Sequence, residues 1–276
     1  MSTLASLLSF ELRDERGVTC LYASLVDGVF EEAANIVANG IAQRRIGMNP
    51  RLHQAWVQQL AAADGTQLSP SDQALLVAGL LQNVGVPAAP GSLSHLYGLV
   101  AEEIWLEIIT EQDMGLGLPI RVDGHDYSAT DPGGDGLTVH QTGNGTFFFR
   151  LWESKYHGTV EPIHETVQVA CRQLRTRALS YLSRFALIAQ RLTDDVELAK
   201  FYGRLPEMWA DKDEAVGASI VIGSSGVQSE CFGIIPGYFE LGPERHQGEL
   251  NALGNFPDFA VRVREILWRG CGWIAL

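Results

Sequence analysis

Lysine is scarce in this 276-residue chain: Lys155, Lys200 and Lys212 stand against seventeen arginines. Basic charge as a whole is in deficit, with 20 Lys and Arg against 33 Asp and Glu and a formal net charge of −13. That balance excludes a surface basic all over that grips nucleic acid by counterion release, so any nucleic-acid site must be a local basic groove. Cysteine is sparse and scattered: Cys20, Cys171, Cys231 and Cys271 form no C-x-x-C pair, which argues against a zinc knuckle or a thioredoxin-like centre and reads as buried thiols in a reducing compartment. The longest stretch without charge, residues 73 to 101, is broken by Asn83, Gly85, Pro87, Pro90, Gly91 and His95. It cannot form the ~20-residue apolar helix that spans a bilayer. Residues 1 to 10 carry no basic residue ahead of their apolar stretch, unlike a signal peptide. The expectation is a soluble, cytoplasmic protein with no membrane partner. Gly223-Ser224-Ser225-Gly226 lacks the lysine of a phosphate-binding P-loop, so no nucleotide cofactor is expected.

What the chain does have is apolar material: 46% of its residues are hydrophobic and 19% charged, enough for the core of one large or two small domains. Residues 7 to 25 read as two short strands around Asp14-Glu15-Arg16-Gly17, followed by helical patterns over 30 to 43, 52 to 63 and 73 to 82, the last behind a Ser69-Pro70-Ser71-Asp72 cap. An apolar-rich helix over 92 to 110 carries Glu102, Glu103 and Glu107. Past Met114-Gly115-Leu116-Gly117 the pattern turns strand-like. Residues 136 to 141 and 146 to 156 flank Thr142-Gly143-Asn144-Gly145, a hairpin-turn signal because Asn and Gly tolerate positive φ. A long helix is expected over 162 to 192, a strand over 218 to 223, a Gly-rich and strand-containing stretch to Phe239, and a final helix over 256 to 268. The expected organisation is a mostly helical N-terminal extension, 1 to 90, before a mixed α/β core, 91 to 276, with an acidic C-terminal part.

The chemistry gathers at Phe147-Phe148-Phe149-Arg150-Leu151-Trp152-Glu153-Ser154-Lys155, an apolar strand ending in an acid and an amine two residues apart. Period two puts Glu153 and Lys155 on one face. A turn centred near Gly143-Asn144 pairs residues whose numbers sum to roughly 287, which brings Asp135 within a residue of Glu153. Two carboxylates and a lysine then share one end of a hairpin. Carboxylate oxygens suit Mg²⁺, the metal acidifies a bound water, and an ammonium steadies developing negative charge. In a chain whose default base is arginine, a lysine at this place is notable.

In this order of residues the sequence resembles the PD-(D/E)xK nuclease superfamily, whose core is a helix bearing an acid, a strand starting with Asp, a strand ending in (D/E)xK, and a helix. Here these are Glu102 or Glu103, Asp135, Glu153-Ser154-Lys155, and the helix from about Pro162, within residues 92 to 225. The proline of the family signature follows an earlier acid, in Asp131-Pro132-Gly133-Gly134-Asp135, which makes Asp131 a rival first ligand; the hairpin register favours Asp135. On the helix, 100° per residue sets Glu103 and Glu107 together on the polar side and Glu102 between Trp105, Leu106 and Ile109, so Glu102 is the preferred third acid. The resemblance implies a restriction-endonuclease-like mixed sheet flanked by helices. It also implies Asp135, Glu153 and the Ser154 carbonyl as ligands of Mg²⁺ or Mn²⁺, Glu102 on a metal or its water, and Lys155 orienting the nucleophile to leave a 5′-phosphate and a 3′-hydroxyl. More loosely, the Asp-Gly and W-E-x-K arrangement behind a long N-terminal extension is similar to the nuclease subunit of Hachiman-type antiphage systems. That likeness implies DNA as substrate and a helicase partner that restrains and loads the nuclease.

Between Thr166 and Thr193 there is no acid, but five arginines, Arg172, Arg175, Arg177, Arg184 and Arg191. Arg177, Arg184 and Arg191 recur every seven residues on one helical stripe, which reads either as a phosphate track or as a solvated face. Residues 194 to 258 hold twelve acids against four bases and should repel DNA; a soluble surface is their commonest meaning. His157 and His164 fit no zinc spacing and read as structural. Gly133, Gly134 and Gly136 read as backbone freedom near a ligand. The function expected is a Mg²⁺-dependent DNA endonuclease of a defence system. The alternatives are a non-catalytic nuclease-like adaptor for a helicase or DNA, and a stand-alone ribonuclease or restriction-type enzyme.

Overall fold

The computed structural model describes residues 2–47, 49–62, 68–82, 84–124, 135–158, 161–189, 193–228 and 230–273. It begins with a hairpin of β1 (Leu8–Glu15) and β2 (Val18–Leu25), whose turn places Arg16 and Gly17 at positive φ. Helices α1 (Phe30–Ile46), α2 (Pro50–Ala61) and α3 (Pro70–Leu80) follow. The Ser69 side chain accepts from the Asp72 amide to cap α3, and Pro70 occupies its first turn, where no donor is missed. A two-residue ladder, β3 (Gly85–Val86) with β4 (Ala89–Pro90), leads into α4 (Leu93–Ile109). Then come β5 (Arg121–Gly124), β6 (Gly136–Gln141), β7 (Phe147–His157), α5 (Ile163–Ala189), α6 (Val196–Asp211), β8 (Val216–Ser224), β9 (His246–Ala252) and α7 (Phe256–Gly270).

Seven strands form one mixed sheet in the order β1-β2-β9-β8-β7-β6-β5. β2, β9, β8 and β7 run parallel, while β1 and the β7-β6-β5 meander are antiparallel to their neighbours. Alternation along the strands splits the core in two. Trp152 and Val221, with Leu21 and Ala23, face a layer of α4 and α7 backed by α1, α2 and α3; Leu137, Phe149, Leu151, Ile220, Ile222 and Leu250 face α5 and α6. The chain is therefore mixed α/β, its sheet covered by helices on both faces. Among the described residues no helix is long and apolar enough to cross a membrane.

Several sequence readings need correction. Thr142 and Thr146 close the β6–β7 turn, and among its residues only Gly145 takes positive φ. The stretch up to Phe239 contains no strand among the described residues, only a 3₁₀ turn at Ile235–Tyr238. β5, α6 and β9 were not anticipated. β9 hid because a central parallel strand normally reads as an apolar run, whereas His246, Gln247, Glu249 and Asn251 are polar and all buried. Gly136 has an ordinary φ, and its lack of a side chain makes room for a neighbour: a Cβ there would lie 2.0 Å from the Trp105 ring. The helix phase of the α4 acids also reverses. Glu103 is 3% exposed because α4 is sandwiched between the sheet and α1, and Arg44 of α1 reaches both Glu103 and Glu107. Glu102 and Glu107 are half-buried.

Candidate active site

The β6–β7 ladder pairs Gly136 with Trp152 and Gln141 with Phe147, one unit from the anticipated register, so the next step outward sets Asp135 opposite Glu153. The Asp135 amide donates to the Trp152 carbonyl at 3.0 Å, and the Ser154 amide donates to Asp135 Oδ2 at 2.5 Å. The Asp135 side chain thus takes over the ladder where β6 begins. Trp152 and Ser154 alternate with Glu153 and Lys155, so the acid and the amine face α5. Glu153 is 0% exposed and its Oε1 accepts from Lys155 Nζ at 2.5 Å, while the Lys155 side chain remains 27% exposed.

The charges act on one another strongly. Burial raises the Asp135 pKa, against Lys155 and the Ser154 amide, which favour the ionised form. Burial raises Glu153 as well, the Asp135 charge adds to it, and Lys155 and Arg177 oppose it. For Lys155 burial favours the neutral amine, but the two carboxylates outweigh it and its pKa rises. Glu153 Oε2 is buried and has no hydrogen-bond partner. An acceptor left unsatisfied in the interior, beside a second carboxylate, is what a hard cation would relieve. The residues therefore fit Mg²⁺ or Mn²⁺, with the Asp135 and Glu153 carboxylates as donors and water completing the shell; the Ser154 carbonyl joins them only through the resemblance.

No protein-family model and no curated protein matches the chain. The reading of the site accordingly rests on its own geometry. Among the described residues no three His, Cys, Asp or Glu side chains gather closely enough to hold a metal by themselves, so the carboxylates of Asp135 and Glu153 are the side-chain ligands on offer.

The remaining expected residues lie as follows. Glu102 lines a cavity of about 250 Å³ with Arg44, Arg45, Val122, Asp123 and Gly124, on the α4 side of the sheet, and acts on Arg44 and Arg45. Asp131 and Arg191 lie outside the described residues. Of the arginine row, Arg177 is half-buried and acts on Glu153. Arg172 and Arg184 are exposed, and Arg172 bonds to Gln168 one turn back. His157 is held by Thr166 at 2.8 Å, a structural contact.

Three residues escaped the sequence reading. Asp123 shares the α5–α6 face through its pairing with Leu137, but its carboxylate is taken by the Tyr202 hydroxyl and by Arg121 Nε at 2.8 Å. Tyr181 of α5 has a buried hydroxyl without a hydrogen bond, raised in pKa by burial and by the Glu153 charge. Its position four residues after Arg177 was the available signal. Glu249 on β9 is fully buried, with Asn251 Nδ2 donating to its Oε1 at 2.7 Å and no cation acting on it.

Proposed function

We propose that the chain is a metal-dependent nuclease that hydrolyses DNA phosphodiester bonds, with Asp135, Glu153 and Lys155 at its centre. One observation carries the reading: the β6–β7 hairpin brings two carboxylates and a lysine to one sheet face, and a buried oxygen of Glu153 is left without a partner. The element order α4-β5-β6-β7-α5-α6-β8 contains the succession of helix, Asp-bearing strand, ExK strand and helix on which the resemblance to PD-(D/E)xK nucleases rests.

Mg²⁺ or Mn²⁺, when bound, would supply Lewis acidity toward the phosphate and an acidified water. Asp135 and Glu153 would hold the metal, the ladder and the Ser154 amide leaving Asp135 little freedom. Lys155 opposes the rise in the Glu153 pKa and presents its ammonium toward solvent, where it can offset charge gathering on the phosphate oxygens. Glu102 enters only through the resemblance, as the helix acid. By the same resemblance the enzyme acts as the effector of an antiphage system under a helicase partner, which suits a chain too acidic to grip DNA strongly alone.

The test is cleavage of plasmid and linear DNA, and of RNA, by the purified chain in Mg²⁺, alone and with its genomic neighbour, beside Glu153→Gln, Lys155→Ala and Glu102→Gln. Loss of about 10²-fold or more in the first two variants is expected, since each removes a group that meets the developing charge. Equal inactivity of wild type and variants, with function in cells unchanged by Glu153→Gln, would replace the enzyme with a nuclease-like adaptor.

A further inference from the structure

The arginine row of α5 does not act as one surface. Gln173, Arg177 and Tyr181 recur every four residues, so they stand in line along one side of the helix, and this side looks onto the acids of β6 and β7. Arg177 is half-buried and acts on both Glu153 and Tyr181. Tyr181 is 2% exposed, and its buried hydroxyl has no hydrogen-bond partner of good geometry among the described residues, with Gln173 and Arg177 as its polar neighbours. A half-buried guanidinium and a buried phenol are thus held beside the carboxylates. Keeping the phenol's donor away from water without a partner is costly.

Charge points the same way. Two carboxylates face two cations, Lys155 and Arg177, and Lys155 is already joined to Glu153. With both carboxyls ionised, as metal ligands must be, the group is neutral, and a bound dication would make it positive, so what it then attracts is an anion. Asp135, Lys155 and Arg177 are the members open to solvent.

We propose that Arg177 and Tyr181 are the anion-binding half of this site and hold a phosphodiester oxygen over Asp135 and Glu153. The proposal rests on the nuclease reading and names the residues that would seat its substrate. Guanidinium and phenol donors both suit a phosphate oxygen, the first as a charged fork and the second as a single directed O–H.

The experiment measures binding of a short dye-labelled DNA duplex in Ca²⁺ by fluorescence anisotropy, and of Mn²⁺ alone by calorimetry, for wild type, Arg177→Met, Arg177→Lys, Tyr181→Phe and, as an exposed control on α6, Arg204→Met. Arg177→Met should weaken DNA binding about tenfold or more, and Tyr181→Phe about three- to tenfold, the range expected for hydrogen bonds to a charged group. Arg177→Lys should recover part of the loss, and Arg204→Met should bind as wild type. Mn²⁺ should bind Arg177→Met at least as tightly as wild type, because a neighbouring cation has been removed; a merely structural role for Arg177 would weaken metal and DNA together. DNA binding unchanged in both Arg177→Met and Tyr181→Phe, or Mn²⁺ and DNA lost in parallel, overturns the proposal. Wild-type cleavage that persists in both variants would refute this subsite while leaving the nuclease standing. Binding lost in the variants without cleavage by any form would refute the nuclease while leaving the anion site.

Discussion

Two buried carboxyls with different neighbours mark the contrast between a site and a scaffold. Glu153 sits beside Asp135, Lys155 and Arg177, a set that a cation and an anion would complete. Glu249 has only Asn251. Its Oε2 and the Asn251 Oδ1 are both unpaired, and a proton on the carboxyl would satisfy both at once, closing an acid–amide pair. Burial raises the Glu249 pKa to about 8. Since the folded pKa lies above the unfolded one, the stability that goes with the protonated form is intact at acid pH and is lost as pH rises through the folded value, with a slope of at most about 1.4 kcal/mol per pH unit. Glu249→Gln keeps both hydrogen bonds without titrating. Thermal melts of the two proteins across mildly acid to alkaline pH should show the wild type falling behind the variant as pH rises; parallel profiles would contradict this account. Neither the pairing of Glu249 nor the place of Tyr181 was legible in the sequence, because both depend on which helix covers which strand. Glu153, Lys155 and Asp135 were legible, because strand period and turn position alone bring them together.

At the scale of elements, long periodic segments were readable and short or polar ones were not. The α4, α5 and α7 helices and the β6–β7 hairpin follow from apolar spacing and turn residues. β5 is four residues long, α6 carries Pro206 inside it, and β9 is polar, so none of them announces its type. The α4 acids show how tertiary packing overrides a helical wheel: the helix has two covered sides, and Arg44 on α1 makes burial of Glu103 tolerable. Burial nonetheless raises the Glu103 pKa to about 7, with Arg44 working against it. Arg44→Met should cost about 1–3 kcal/mol in urea unfolding by leaving a buried carboxylate unsatisfied, the lower end being expected because the Arg44 side chain is 37% exposed. Gly136 is the other pivot. Gly136→Ala drives a methyl into the Trp105 ring, should destabilise the fold by about 1–3 kcal/mol, and should reduce metal affinity through Asp135 next to it. A variant with wild-type melting and metal affinity would show that α4 does not set the position of β6.

The whole molecule combines a net charge of −13 with an acid-free stretch of helix on which only part of the basic charge is turned toward the proposed centre. Binding of duplex DNA by the chain alone should therefore be weak. Its logarithmic salt slope should be no steeper than about −3, as for two or three neutralised phosphates, and a slope near −8 would reveal a basic groove wider than the one beside Glu153. A partner that supplies affinity, such as a helicase, fits that economy of charge. The sheet itself carries the central claim, since it sets Asp135 against Glu153 with an unsatisfied oxygen between two helical layers. Calorimetric titration of Mn²⁺ into wild type, Asp135→Asn and Glu153→Gln tests it most directly: saturable binding by the wild type, lost in both variants while their melting transitions persist, is the result predicted. Mn²⁺ binding that survives in both variants, or is absent from the wild type, would contradict it.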